Sequence, residues 1–191
     1  MWAQLVKDSL LRPREAARRI LAAGVPAAVS MEAAVLVTCA GVVLGYLALM
    51  VDRDAIDVVS ASILGRPLLG ALVQLAALAV VVVLTVRIGR LFGGVGGHAD
   101  ALALVVWLSA VMVLVQVVQL VALAVLPLLA AAIAIATILW AFWAFASFVA
   151  ELHGFRRPAI VLGVVILTGI VLFFSTAMLL AILGITPQET S

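Results

Sequence analysis

Long apolar runs separated by short polar segments dominate this chain. The polar segments fall at about positions 51–66, 89–100 and 150–157, and the apolar runs between them reach the roughly 20 residues that a helix needs to cross a bilayer. From Ala101 to Ala150 there is no Asp, Glu, Lys, Arg or His. Inside a bilayer the backbone must satisfy its own hydrogen bonds, which a helix does. The pattern therefore predicts an all-α membrane protein.

The charge-free block is too long for a single span. As one helix its 50 residues would extend about 75 Å, against a hydrocarbon core of about 30 Å. Pro127 lies near its middle and disfavours helical geometry at Leu126, so we predict a hairpin there. Five transmembrane helices result. The predicted spans are about 30–50, 67–88, 101–125, 128–149 and 158–183, in a transmembrane domain of residues 30–184 that a short exoplasmic tail, 185–191, follows.

Residues 1–29 precede the first span and show the pattern of two amphipathic helices, the second beginning at Pro13. Glu15 can pair with Arg18 and Arg19 one turn further on. A basic amphipathic helix beside a span is typical of an interfacial helix that anionic headgroups attract. A simple topology anchor is the alternative interpretation.

Composition and the distribution of charge set the environment and the orientation. Apolar residues make up 68% of the chain and charged residues 10%, against about a quarter charged in soluble domains, which excludes a soluble fold. Nine Lys and Arg residues fall on one side of the predicted spans and two on the other, so we expect a cytoplasmic N-terminus and an exoplasmic C-terminus. Ten of the eleven basic residues are Arg, which together with the excess of Ala, Val, Leu and Gly indicates GC-rich coding and a bacterial inner membrane.

Four protonatable side chains fall on two loops that the predicted topology places at the same side: His98, Asp100, Glu151 and His153. Imidazole and carboxylate groups could together hold Zn²⁺ or Mn²⁺. No HExxH or CxxC pattern accompanies them, and each has a structural alternative, with Asp100 as a helix cap and the others as residues at a helix end. A metal site is therefore a remote hypothesis, and no catalytic residue or cofactor is predicted.

The glycine-rich run Gly93–Gly97 could form a nest of backbone N–H groups for a phosphate, because Arg87 and Arg90 flank it. A tight turn between helices is the alternative. With Arg18 and Arg19, these two arginines are the candidate residues for a lipid headgroup.

Small and amide side chains inside the spans predict helix packing. Gly41 and Gly45 have the GxxxG spacing of close helix contacts, and Gln116 and Gln119 lie one turn apart where they can bond a neighbouring helix. No ionisable side chain falls at mid-depth, which argues against an ion-coupled transporter. A hydrated cavity lined by Gln74, Gln116 and Gln119 would instead favour a transporter or channel.

Three short motifs resemble a known family. They are Phe92-Gly-Gly-Val-Gly-Gly-His-Ala-Asp-Ala-Leu-Ala-Leu-Val-Val-Trp107, Ala150-Glu-Leu-His-Gly-Phe155 and Arg12-Pro-Arg-Glu-Ala16. In order and spacing they are similar to the bacterial branch of the Yip-domain (Ypt/Rab-interacting protein) family. The resemblance implies five spans with a cytoplasmic N-terminus. Eukaryotic relatives are linked to vesicle traffic and bind prenylated Rab GTPases, and the resemblance carries over no catalytic residue.

The sequence thus favours a non-catalytic membrane protein, or scaffold, that organises membrane lipid or partner proteins. A small transporter, channel or lipid-flipping protein is the alternative, and a metal-dependent membrane enzyme is the remote one. The expected partners are membrane lipids and either another membrane protein or a second copy of the chain, with no nucleic acid.

Overall fold

The computed structural model describes residues 2–51 and 66–182, and within these ranges the regular structure is helical without a β-strand. The predicted tail at 185–191 and most of the polar loop after the first predicted span lie outside the described residues. The helices of the described ranges are α1 (Trp2–Leu11), α2 (Pro13–Ala22), α3 (Ala27–Val51), α4 (Pro67–Leu91), α5 (His98–Val125), α6 (Pro127–His153) and α7 (Pro158–Ile182).

Four of these helices, α3 to α6, are long and apolar enough to cross a membrane. In α7 the corresponding apolar stretch, Pro158–Val171, is shorter than those of the other four helices. Large apolar side chains point away from the bundle along the long helices, with Leu36, Leu68 and Leu128 each more than 70% exposed. Exposed apolar side chains in such numbers suit a surface in contact with lipid. The chain is an integral membrane protein.

The α5–α6 hairpin turns at a single residue, Leu126, whose extended backbone (φ −151°, ψ 95°) is the conformation that a following proline imposes. Pro127 then opens α6, where its missing N–H costs no hydrogen bond. The hairpin organises the bundle: α3 packs against α5, α4 packs against α3 and α5, and α7 packs against α6. Among the described residues α4 and α7 make no direct contact.

The face of α3 that packs against its neighbours is built of small residues around Gly41. A Cβ at Gly41 would lie 3.3 Å from Nε2 of Gln74 and 3.6 Å from Oε1 of Gln116, so α3, α4 and α5 approach closely there. Gly45 and Gln119, by contrast, are only half-buried. The buried residues of α3 are Ser30, Ala34, Thr38, Gly41 and Val42.

One end of the bundle, at which α4 and α6 finish and α5 and α7 begin, is the basic end. Here α6 is covered by protein over nearly its whole circumference from Ala144 to His153. Helix α2 supplies part of the cover, because Ala16, Ala17 and Ile20 are buried and α2 packs on α5 and α6. The apolar face of α2, for which the sequence predicted an interfacial position, thus packs against the chain itself.

Helix α1 is tied to the hairpin by two tryptophans. Trp107 Nε1 donates a hydrogen bond to Ser9 Oγ (2.8 Å), and the ring of Trp107 stacks on Trp2 with 6.0 Å between centroids. Trp140 Nε1 donates to the carbonyl oxygen of Leu10 (3.1 Å). Both indole N–H groups thus find partners on α1, and these contacts fix α1 across both helices of the hairpin.

Candidate functional site

A carboxylate clamp at the basic end joins the N-terminal segment to the hairpin. Glu151, in the last turn of α6, accepts a hydrogen bond from Arg14 Nε at Oε2 (2.7 Å) and from Arg18 Nε at Oε1 (3.0 Å). Its side chain is only 16% exposed. The hydrogen bond and the charge of Glu151 raise the pKa of Arg18 above its ordinary value. Both carboxylate oxygens are therefore engaged in charge-assisted bonds.

Arg14 also binds the chain just after α6. Its Nη2 donates to the carbonyl oxygen of Phe155 (2.8 Å) and its Nη1 to that of Arg156 (3.3 Å). Gly154, with φ 72°, ends α6 in a left-handed cap in which the N–H of Phe155 returns to Ala150 and that of Gly154 to Glu151. One guanidinium thus holds both the helix end and the first residues of the connection to α7.

His153, two residues beyond the clamp, is buried at 4% exposure. Its Nδ1 lies 3.1 Å from the carbonyl oxygen of Val149, which can only accept, so Nδ1 donates this hydrogen bond. Nε2 has no hydrogen-bond partner among the described residues. The ring stacks on Phe155 with 5.6 Å between centroids.

Gly89 in the last turn of α4, and Gly94 and Gly96 in the α4–α5 connection, form a cradle for this imidazole. A Cβ at Gly89 would overlap the His153 ring, and one at Gly94 would lie 2.6 Å from the histidine Cβ and 2.7 Å from its Cγ. At Gly96 a Cβ would lie 2.7 Å from Leu152 Cγ and 2.9 Å from His153 Nε2. Glycine is required at these positions because the end of α6 lies directly against the backbone.

The glycine run ends α4 as a tight turn. Gly93 adopts φ 82°, its N–H donates to the carbonyl of Arg90 (3.0 Å), and the N–H of Gly94 donates to that of Gly89 (2.9 Å). Arg90 Nη2 in turn donates to the carbonyl of Gly96 (3.3 Å). Two N–H groups that a phosphate nest would need are therefore bonded to α4, which favours the tight-turn alternative.

The four candidate metal residues occupy different environments. His98 and Asp100 are exposed, whereas His153 is buried in the glycine cradle and Glu151 is held in the clamp. Asp100 does not cap its helix: α5 begins at His98, and Asp100 lies within the first turn, where its charge suits the helix dipole. Among the described residues no three His, Cys, Asp or Glu side chains form a group that could hold a metal ion.

The predicted pairing of Glu15 with Arg18 and Arg19 is wrong. Helix spacing permits that pairing, but in the folded chain Glu151 and Asp8 lie within reach of the arginines, and their carboxylates are less exposed than that of Glu15. Sequence spacing carried no signal for the clamp, whose partners lie 133 and 137 residues apart. Glu15 instead pairs with Arg12, Arg18 with Glu151 and Arg19 with Asp8.

Beside the clamp lies an apolar groove of about 720 Å³, within the range of roughly 300–1,000 Å³ typical of small-molecule sites. Helix α6 forms its floor and α4 and α7 its walls, and Arg156 and Arg157 stand at the basic end. The groove lies between two helices that do not touch. We name it the lateral groove. Its other principal lining residues are Val81, Ile88, Phe92, Phe142, Phe145, Val165 and Gly169.

Of the four arginines predicted to bind a lipid headgroup, three bind other groups of the chain and one has no such partner among the described residues. Arg18 is bound to Glu151, Arg19 to Asp8, and Arg90 to the carbonyl of Gly96. Arg87 is exposed, and no hydrogen bond or ion pair joins its side chain to the described residues. Sequence reasoning missed Arg156 and Arg157 as headgroup candidates, since nothing in the spacing placed them at an apolar groove.

The clamp and the cradle bring together the three sequence motifs. Arg14 comes from the first, the Gly94 and Gly96 backbone from the second, and Glu151 and His153 from the third. Comparison with known proteins found no match among curated proteins and none among solved structures. The family model of the Yip1 domain matches residues 7–179, a range that includes the clamp, the cradle and the lateral groove. The chain therefore belongs to the Yip1 domain family.

Proposed function

We propose that this protein is a non-catalytic membrane protein that organises membrane lipid or partner proteins. The observation that carries the proposal is the lateral groove, which is apolar over most of its length and is bounded by α4 and α6, two helices long and apolar enough to cross a membrane, and by α7. A site of this form receives an apolar chain or an apolar helix from within the bilayer. Its charged lining residues among the described part of the chain, Arg156 and Arg157, lie together at the basic end, and the rest of its length is lined almost entirely by apolar side chains.

The reactive side chains near the groove already serve the fold, which supports the non-catalytic interpretation. Glu151 binds two arginines, and His153 fills the glycine cradle with Nδ1 bonded to its own helix. A general base or a metal ligand would need a free oxygen or nitrogen facing an accessible space. Resemblance to the Yip1 domain family adds no catalytic motif.

The proposed topology has five spans, with α7 as the fifth and the basic end in the cytoplasm. Arg14 and Arg18 touch Glu151, so the basic N-terminal segment lies at the same end as Arg156 and Arg157. Arg66, at the start of α4, lies at the other end. The positive-inside rule then supports a cytoplasmic N-terminus and, after five spans, an exoplasmic C-terminus. The membrane proposed is a bacterial inner membrane.

The α1–α2 segment is proposed to lie at the cytoplasmic interface. Helix α6 is about 40 Å long at 1.5 Å per residue, about 10 Å more than the hydrocarbon core. The end of α6 that projects beyond the core is the part that α2 and the glycine turn cover. The exposed basic side chains of α2 would then face the headgroups.

The test is purification with a shell of native membrane, followed by quantitative analysis of lipid and protein. We expect either a lipid class enriched over the surrounding membrane or a stoichiometric protein partner. The protein should also be reconstituted into sealed vesicles. Lipid of bulk composition with no partner, together with flux of ions or solutes through the vesicle wall, would refute the proposal in favour of a transporter or channel.

Such a flux should depend on Gln74, Gln116 and Gln119 if they line a conducting path. None of the three lines the lateral groove, and the Oε1 atom of Gln116 is buried without a hydrogen-bond partner among the described residues. Alanine variants of these residues therefore distinguish the transporter alternative from the proposed function.

A further inference from the structure

We infer that the lateral groove binds an acyl chain of an anionic glycerophospholipid, whose phosphate lies at Arg156 and Arg157. This inference rests on the proposed function and names its lipid. It follows from the depth of the groove, from the change along it from apolar to charged lining, and from the two arginines at its basic end that form no ion pair with the described residues.

The depth of the groove matches one leaflet. Its lining extends along α7 from Arg157, which directly precedes Pro158, to Gly169, about 18 Å at 1.5 Å per residue, and along α4 from Val81 to the C-cap residue Phe92, about 17 Å. Half of a hydrocarbon core of about 30 Å is about 15 Å. A groove of this depth accommodates one acyl chain extended from the headgroup region to the bilayer centre.

The polarity of the groove matches that of a phospholipid. Among the described residues its walls are apolar apart from Thr85 and Thr168, and the charged residues that line it there are Arg156 and Arg157. Both arginines lie at the basic end, at the level of the clamp. A ligand with a charged head and a long apolar chain satisfies both parts of the groove, whereas an apolar helix of a partner would leave the arginines without an anion.

The two arginines are available for an anion. Both are exposed, and neither side chain forms an ion pair with a carboxylate of the described residues, since Glu151 is engaged by Arg14 and Arg18. Arg14 fixes the main chain beside them through the carbonyls of Phe155 and Arg156. A phosphate therefore meets two guanidiniums on a segment that is already held in place.

The experiment compares binding of phosphatidylglycerol and phosphatidylcholine with identical acyl chains to the whole chain in mild detergent, measured by native mass spectrometry. We expect phosphatidylglycerol to bind about tenfold more tightly. Arg156→Gln with Arg157→Gln should abolish this preference, and Arg156→Lys with Arg157→Lys should retain most of it. The matched control, Arg12→Gln with Arg66→Gln, removes the same charge from exposed positions outside the groove and should leave the preference unchanged.

A second pair of variants tests the groove separately from the charge. Gly169 lines the groove and a Cβ there meets no atom within 4 Å, so Gly169→Leu should fold and fill the space. It should weaken the binding of both lipids several-fold. Gly163→Leu makes the same change on the same helix, also in open space but outside the groove, and should have no effect.

A lipid preference that survives the double glutamine variant, or binding that Gly169→Leu and Gly163→Leu affect equally, would overturn the inference. If a stoichiometric protein partner is found while phosphatidylglycerol shows no preferred binding, the inference fails and the proposed function stands. Lipid of bulk composition, no protein partner and solute flux in sealed vesicles would together refute the proposed function itself.

Discussion

Arg14 Nε lies 2.7 Å from Glu151 Oε2 across 137 positions of the chain. The same guanidinium binds the carbonyls of Phe155 and Arg156, so one side chain joins α2 to the end of α6 and to the start of the α6–α7 connection. Arg18 completes the clamp from the next turn of α2. The ion pair is partly shielded, since the Glu151 side chain is 16% exposed and that of Arg14 is 37% exposed.

The clamp should contribute measurably to stability. A double-mutant cycle with Arg14→Gln and Glu151→Gln should give a coupling free energy of about 1 kcal/mol, because a well-formed and partly buried pair exceeds the usual surface value. Thermal or denaturant unfolding in detergent measures it. The control cycle on Arg12 and Glu15, an exposed pair at 3.6 Å, should give a coupling near zero. Equal coupling in the two cycles would contradict a special role for the clamp.

The glycine cradle should not tolerate a methyl group while His153 is present. Gly89→Ala and Gly94→Ala should each destabilise the protein by about 1–3 kcal/mol, since the new Cβ would overlap the imidazole. Gly163→Ala, in open space on α7, serves as the control and should be neutral or slightly stabilising. Unfolding in detergent measures all three.

The cause of that loss can be isolated with His153→Ala. Removing the ring opens the cradle, so Gly94→Ala combined with His153→Ala should be scarcely less stable than His153→Ala alone. Additive losses in the double variant would mean that Gly94 is required for its backbone conformation and not for the space it leaves.

Gly41 should be the sensitive position of the α3 packing face. Gly41→Leu should destabilise the bundle by about 1–3 kcal/mol, because the side chain would enter the space next to Gln74 and Gln116. Gly45→Leu should cost less, since Gly45 is half-buried, and Gly163→Leu should cost nothing. If the three leucine variants unfold at the same temperature in detergent, the Gly41 face is not a close helix contact.

The proposed topology can be checked by labelling single cysteines in intact and permeabilised cells. With Cys39 replaced by Ser, cysteines at Arg12 and Arg157 should react only after permeabilisation, whereas one at Arg66 should react in intact cells. A reporter that requires the exterior should be active when it is fused after Ser191. Labelling of Arg157→Cys in intact cells would mean that the orientation is the opposite of the proposed one. An inactive C-terminal reporter would mean that α7 does not cross the membrane.

Hydropathy and proline chemistry by themselves determined the helical membrane fold. A charge-free stretch of 50 residues has no stable environment except a bilayer, and a bilayer permits the backbone little except helix. Local sterics also determined the hairpin, because Pro127 makes Leu126 extended whatever surrounds it, and the structure ends α5 at Val125. Signals of this kind are local or compositional, and a sequence displays them directly.

Only the tertiary structure decided what the polar residues do. Glu151 and Arg14 each carry the same charge in any fold, but the docking of α2 made them partners and removed Arg18 from the local pairing that helix spacing allowed. In the sequence His153 is a possible metal ligand and the glycine run a possible phosphate nest. In the structure the His153 ring packs against the backbone of Gly94 and Gly96. Such contacts depend on distances in space between residues far apart in the chain. For that reason the lateral groove, with Arg156 and Arg157 at its end, had no counterpart in the sequence pattern.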